Sequence, residues 1–418
     1  MSASPNFAYN AGQPRYAWVV MLHLWSMDHV NNLVFFSLGV LIPVWREELG
    51  LSPTQAGLLG TAGFMGFGLM ALPASIWLTR YSPKLVTLLS GLGMAGFTML
   101  QAFSPGALVL VLGRLGFVMS SAVRIQIQVM LIQQWFRPRL YATVNSLDYG
   151  SRSTSQVVAL AATPAIVLLL DSWRSYYLLV GALMVLIVGS WVFMGRERGT
   201  RTETGGAPRH EANPAGVLRR NKVLWVVASA QIGVAVCFGS FLTFYPTYAI
   251  DRLDISLETA GLLMSAFPVG GIVGTLSTGP LSQWVGRRKP FVLVPGIVLP
   301  IAYTLLLQAP SVPVAALILF IIGAFAMGVA PILFTIPMDL RLAHREVAVG
   351  QGLIRTIFPF SAMWGPLFVG LMQEGTGSLF IGLAIVAPLN IILFINGMLL
   401  PETGIRGRLD RMRAARTA

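Results

Sequence analysis

Six ionisable side chains stand inside long apolar stretches of this sequence: Asp28, Arg114, Arg124, Asp148, Arg152 and Arg355. A charge at the centre of a membrane-spanning helix costs at least about 2.5–3.5 kcal/mol on the insertion scale, so such groups pair with one another or serve a ligand or ion pathway. Four arginines against two aspartates leave positive charge in excess. In a low-dielectric setting that excess attracts an anion more strongly than it would in water. The planar guanidinium also matches a carboxylate through two parallel hydrogen bonds. The chemistry that these residue types support is recognition of a small organic anion, with Asp28 or Asp148 taking and releasing a proton.

Spacing sharpens the pattern. Asp148 and Arg152 are four residues apart and share a helix face, which Ser155 and Gln156 continue. Ser120, Arg124 and Gln128 form a second stripe, and Asp28, Asn31 and Asn32 lie within one turn of a third helix. At 1.5 Å per residue, Asp28, Arg124, Asp148 and Arg152 all lie roughly 12–18 Å from the same ends of their helices. Arg124, among Ile125, Ile127 and Val129, reads as a substrate contact, with Asn31, Asn32, Gln128 and Arg152 beside it. Asp28 reads as the proton-coupling group or a substrate contact; the alternative is a static partner of Arg124. Asp148–Arg152 reads equally as a structural pair, and Arg114 as a structural hydrogen-bond centre. Arg355 has the alternative of snorkelling to the nearer interface. His29 could relay protons near neutral pH, or hydrogen-bond to a neighbouring helix, and the same holds for His23. Tyr245 and Tyr248, around Pro246, suit the uncharged part of a substrate, or ordinary packing and interface anchoring. The spacing offers no paired histidines and no carboxylate cluster, so neither metal nor cofactor is expected. The one cysteine, Cys237, excludes an intrachain disulfide framework and a cysteine-based metal cluster.

The elements that carry these groups are apolar runs. The chain is 55% hydrophobic and 11% charged over 418 residues, against roughly 25% charged in soluble domains. Runs long enough to cross about 30 Å of hydrocarbon recur from end to end. They predict helices over 16–44, 54–79, 84–103, 107–134, 140–169, 173–194, 222–249, 257–284, 289–308, 312–339, 347–373 and 377–399. The first run is too long for a signal-peptide core and is read as a membrane helix. Residues 195–221, charged and holding Gly205, Gly206, Pro208 and Pro214, read as a linker. The expected organisation is thus a six-helix bundle over 1–194, a cytoplasmic linker over 195–221, a second six-helix bundle over 222–399, and a basic cytoplasmic tail over 400–418.

The net charge of +13 does not indicate nucleic acid, because the basic residues sit in short loops between apolar runs. With the N-terminus inside, only Arg46, Arg174 and Arg252 fall outside and only Arg114, Arg124, Arg152 and Arg355 fall within helices; every other Lys and Arg is cytoplasmic. That asymmetry places both termini inside, and the expected location is the plasma (inner) membrane.

The two halves repeat each other. Leu49-Gly-Leu-Ser-Pro-Thr-Gln-Ala-Gly-Leu-Leu59 aligns with Leu253-Asp-Ile-Ser-Leu-Glu-Thr-Ala-Gly-Leu-Leu263, and at the same offset Arg80-Tyr-Ser-Pro-Lys84 aligns with Trp284-Val-Gly-Arg-Arg288. Two similar halves joined by a central loop imply a substrate site between them, near the midplane. Here the sequence resembles the major facilitator superfamily, whose hallmark is a Gly-x-x-x-Asp-Arg-x-Gly-Arg-Arg loop after helix 2, echoed after helix 8. The echo carries Gly279, Gly286, Arg287 and Arg288; the first copy keeps Arg80 and Lys84 but has Ser75, Thr79 and Ser82 elsewhere in the motif. Trp135-Phe136, Trp173-Arg174 and Pro401-Glu-Thr403 are further family-like features. Within the superfamily, Asp28-His29-Val30-Asn31 and Gly50-Leu-Ser52 with Gly57-Leu58 resemble the anion:cation symporters, with His29 in place of an arginine. That family's helix-4 glycine and glutamate are here Val118 and Ser121. The Gly-Pro-x-x-Gly-Gly motif of drug/proton antiporters does not occur in helix 5.

The resemblance implies an all-α membrane protein of twelve transmembrane helices in two pseudo-symmetric six-helix bundles. It implies that helices 1, 4, 7 and 10 line the pathway, and that Arg80, Lys84, Gly286, Arg287 and Arg288 belong to gating loops. The expected function is secondary active transport, as proton-coupled symport of a small organic anion, with no enzymatic activity. The alternatives are a proton-driven exporter of drugs or metabolites, and a transport-inactive membrane sensor. The expected partners are an anionic small molecule, protons and the lipid bilayer, with the protein acting as a monomer.

Overall fold

A computed structural model describes residues 15–77, 81–137, 140–196, 214–340, 342 and 344–404. The protein is all-α. Its helices are α1 (Tyr16–Leu49), α2 (Pro53–Trp77), α3 (Pro83–Ala102), α4 (Ala107–Trp135), α5 (Tyr141–Leu169), α6 (Trp173–Met194), α7 (Pro214–Arg220), α8 (Lys222–Ser229), α9 (Ile232–Leu253), α10 (Leu257–Val285), α11 (Pro290–Leu306), α12 (Val312–Asp339), α13 (His344–Ala362), α14 (Trp364–Thr376), α15 (Leu379–Val386) and α16 (Ile391–Leu399). Among the described residues, ten helical stretches are both long and apolar enough to cross a bilayer. The 17-residue α11 is apolar but shorter, and α2 runs for 25 residues. The outer surface is correspondingly apolar: Leu169 and Phe193 are 84% exposed, a belt suited to lipid tails.

Three expected helices are interrupted. The seventh breaks at Ala230–Gln231 and then runs on to Leu253; the eleventh breaks at Met363 between α13 and α14; the twelfth passes through a 3-10 turn at Ala387–Asn390. The Gln231 amide at the first break donates to the Ile354 carbonyl at 2.6 Å, a long-range partner that the local sequence does not reveal. Part of the segment read as a linker is helical, as α7.

The internal repeat has a physical basis. Gly50 and Asp254 both end helices in the left-handed conformation, at φ 63° and 51°. Ser52 and Ser256 then accept from the amides of Gln55 and Thr259 at 3.3 and 3.2 Å, starting α2 and α10. Gly57 and Gly261, at matching positions, each meet a proline of the opposite half. A Cβ on Gly57 would lie 2.6 Å from the Pro366 carbonyl oxygen in α14, and one on Gly261 would collide with Pro164 in α5. The halves thus meet along α2 against α14 and α5 against α10. Gly39 of α1 approaches the Leu242 carbonyl of α9 more closely still, and Gly370 approaches the Pro53 carbonyl much as Gly57 does that of Pro366. Small residues allow backbones this near one another in a membrane. These approaches all gather toward one end of the molecule, where α1 and α5 finish and α2 and α10 begin. Deeper in, Phe64 of the first half meets Phe238 of the second at 5.9 Å, and Phe238 meets Phe358 at 5.9 Å.

Candidate functional site

Three helices bring the predicted charges together. α1 packs on α5 and on α4, which places Asp28, Arg124, Asp148 and Arg152 in one network. Asp28 pairs with Arg124 through Oδ1 and lies 3.7 Å from Arg152 through Oδ2. Arg152 pairs with Asp148 at 3.0 Å, the i, i+4 pair expected from the spacing. Gln128 ties the set together. Its amide nitrogen donates to Asp28 Oδ2 at 3.1 Å and Asp148 Oδ1 at 2.5 Å, while its oxygen accepts from Arg124 at 2.9 Å. One turn along α1, Asn31 donates to Asn32 at 3.3 Å, and Asn32 donates to the Ser155 hydroxyl on α5. Two arginines and two aspartates thus balance within a buried, hydrogen-bonded group. Such a network holds together only when its polar groups are nearly all satisfied.

Exposure separates the two arginines. The Arg124 side chain is completely buried behind Asp28 and Gln128, whereas that of Arg152 is 21% exposed. Arg124 Nε and Asn31 Oδ1 are buried polar atoms with no protein hydrogen-bond partner.

Other predicted residues stand elsewhere. His29 does not join the network: its Nδ1 lies 2.8 Å from the Trp25 carbonyl of its own helix. Tyr245 and Tyr248 are not brought to it either. Tyr245 is buried against Phe241 and Tyr248, and the Tyr248 hydroxyl donates to the Leu307 carbonyl at 2.6 Å. His23 lies 2.8 Å from the Ile187 carbonyl and stacks on Trp191. Arg114 takes the structural role, donating to the carbonyls of Val34 and Phe35 at 2.7 and 2.5 Å. Arg355 is exposed and lies over the Phe334 ring at 5.3 Å.

In the loops expected to gate the pathway, Arg80 lies outside the described residues, and Lys84 donates to the Val192 carbonyl at 2.8 Å. Gly286 ends α10 at φ 72°. Arg288 then ties three segments: its side chain pairs with Asp339 at 3.2 Å and bonds Ser282, and its amide donates to Glu402 at 2.8 Å. Arg287, next to it, also has partners. The glycine-arginine loop and the Pro401-Glu-Thr403 motif are therefore parts of one structure.

Trp25 is a member of the network that the sequence reading missed; its indole nitrogen donates to Asp148 at 2.9 Å. Its position three residues before Asp28, on the same face of α1, was the available signal.

A multi-pass helical bundle of two similar halves, with ionic groups buried at matching depth, has the make-up of a membrane transporter. The chain belongs to the Major Facilitator Superfamily, whose family model matches residues 24–366. It is similar to the probable L-galactonate transporter of Escherichia coli (strain K12), 25% identical over 87% of this chain and 85% of that one. It is also similar to the probable sulfoacetate transporter SauU of Cupriavidus necator, 24% identical over 86% of each chain. Among solved structures, it matches a bacterial homolog to the human lysosomal transporter Spinster, in an inward-facing and unoccupied conformation, with a TM-score of 0.75. That match covers 93% of this chain and 96% of the other at 16% identity, a likeness of fold.

Proposed function

We propose that this protein is a proton-coupled symporter of small organic anions, with Arg152 on the anion and Asp28 or Asp148 on the proton. The observation that carries the reading is the buried network in which two aspartates neutralise two arginines, one of them partly exposed. Without substrate the four charges balance. A carboxylate docking on Arg152 displaces its longest ion pair, the one to Asp28 at 3.7 Å. One negative charge is then in surplus in a low-dielectric setting. A proton on Asp28 or Asp148 restores neutrality. Anion and proton therefore favour each other's binding, which is thermodynamic coupling. The similar proteins named above are described as carriers of L-galactonate and sulfoacetate, both small organic anions, which supports the substrate class.

The bundles over 1–194 and 222–399 would rock about this site, with the linker and both termini cytoplasmic, as the distribution of Lys and Arg supports. The closely packed end would then be the outer one. Reporter fusions at the C-terminus test this topology. Uptake of a radiolabelled carboxylate panel into proteoliposomes, with and without an inward proton gradient, tests the function. Accumulation against the anion's own gradient only when protons flow in is expected; no uptake of any carboxylate would overturn the reading.

A further inference from the structure

Arg355 stands alone. Among the described residues no acid lies within ion-pair distance of it; its recorded contact is the face of the Phe334 ring. Acids on the helices that pack around it are already engaged, Asp339 of α12 with Arg288 and Glu346 of α13 with Arg220. Arg355 lies about 9 Å inside the apolar stretch Val349–Thr376.

It does not share the outward face of its helix, which Phe360, 55% exposed, marks. At 3.6 residues per turn, Arg355 is turned about 140° from Phe360. Phe358, three residues on and on the same face as Arg355, touches Phe238, which in turn touches Phe64 of the opposite half. Arg355 therefore lies on the face of α13 turned toward the plane where the halves meet.

Its depth matches that of Arg152. Pro164 of α5 and Pro366 of α14 occupy equivalent places, each receiving a glycine of the repeat, Gly261 and Gly57. Arg152 precedes Pro164 by about 18 Å of helix, and Arg355 precedes Pro366 by about 17 Å, both toward the less tightly packed end. Each half thus offers one guanidinium at one level on pseudo-symmetric helices, Arg152 partly exposed and Arg355 exposed. The first is neutralised by its own aspartates and the second is not.

We infer that Arg355 is a second anion anchor, and that the substrate is a small dianion with an acid group at each end, bridging Arg152 and Arg355 across the two halves. This rests on the organic-anion reading above and names its substrate class. The charges close: a dianion brings two negative charges, Arg355 supplies one positive charge, and one proton on the aspartate network supplies the other. A ligand that touches both halves also favours their closure, because closure completes its second contact.

The test uses the purified full-length chain and two probes of similar size: galactarate, with a carboxylate at each end, and galactonate, with one. Calorimetry should give galactarate about 10- to 100-fold tighter binding than galactonate, as expected for one added charge-assisted contact. Arg355→Gln should abolish that preference, and Arg355→Lys should retain part of it. Arg152→Gln should weaken both probes. Equal binding of the two by the parent protein, or a preference that survives Arg355→Gln, overturns the second anchor while leaving an organic-anion carrier. Binding of neither probe overturns both the anchor and the reading on which it rests.

Discussion

The carboxylate of Glu374, at the end of α14, accepts a hydrogen bond at 3.1 Å from the amide of Thr54, in the first turn of α2. The same oxygen accepts from the Ser52 hydroxyl at 3.2 Å. First-turn amides have no partner within their own helix and sit at the positive end of its dipole. A residue of the second half thus caps a helix of the first, at the end where the halves pack most closely. Glu374→Ala should leave those donors to water and enlarge the population with this end open. Distances between spin labels at Leu58 and Leu371 would report it; an unchanged distribution would show that the contact does not hold the end shut.

Gly57→Val should act on the same closure by a different route. Its Cβ would lie 2.6 Å from the Pro366 carbonyl oxygen, a backbone atom that cannot turn aside. The expected result is a bundle that folds but cannot close this end, so counterflow is lost while substrate still binds. Retained counterflow would mean that α2 and α14 need not approach this closely during transport.

Arg124→Ala should be costly to the fold. The substitution leaves Asp28 with only Gln128 and the longer contact to Arg152. Stranding one member of a buried pair costs about 3–5 kcal/mol. The double variant Asp28→Asn with Arg124→Ala should recover much of that loss, since no charge is then stranded. Thermal unfolding of the substrate-free proteins in detergent makes the comparison; equal losses in single and double variants would count against the pair.

Asp28→Asn should abolish gradient-driven accumulation while sparing exchange of substrate across the membrane. Asparagine keeps the size and hydrogen-bonding capacity of the side chain but cannot titrate. Asp148→Asn is the necessary comparison, because Asp148 shares Arg152 and Gln128 with Asp28. If accumulation survives Asp28→Asn and fails in Asp148→Asn, the coupling role belongs to Asp148.

Much of this protein was legible before any tertiary structure. Apolar run length, loop charge and the repeat at Leu49–Leu59 and Leu253–Leu263 depend only on local sequence, and they led to a two-half helical membrane bundle. Helical rise is constant, so the common depth of Asp28, Arg124, Asp148 and Arg152 could also be counted along the chain. Which guanidinium stays partly exposed could not. Arg124 reads as the substrate contact because it is mid-helix, yet α1 and Gln128 enclose it while Arg152 keeps an exposed edge. The rotation of α1, α4 and α5 about their axes decides that, and rotation is set by packing between residues far apart in sequence. The helix breaks at Gln231 and Met363 and the cap that Glu374 places on α2 are of the same kind. Each depends on a partner more than a hundred residues away or on the close approach of two helices, which no local pattern records.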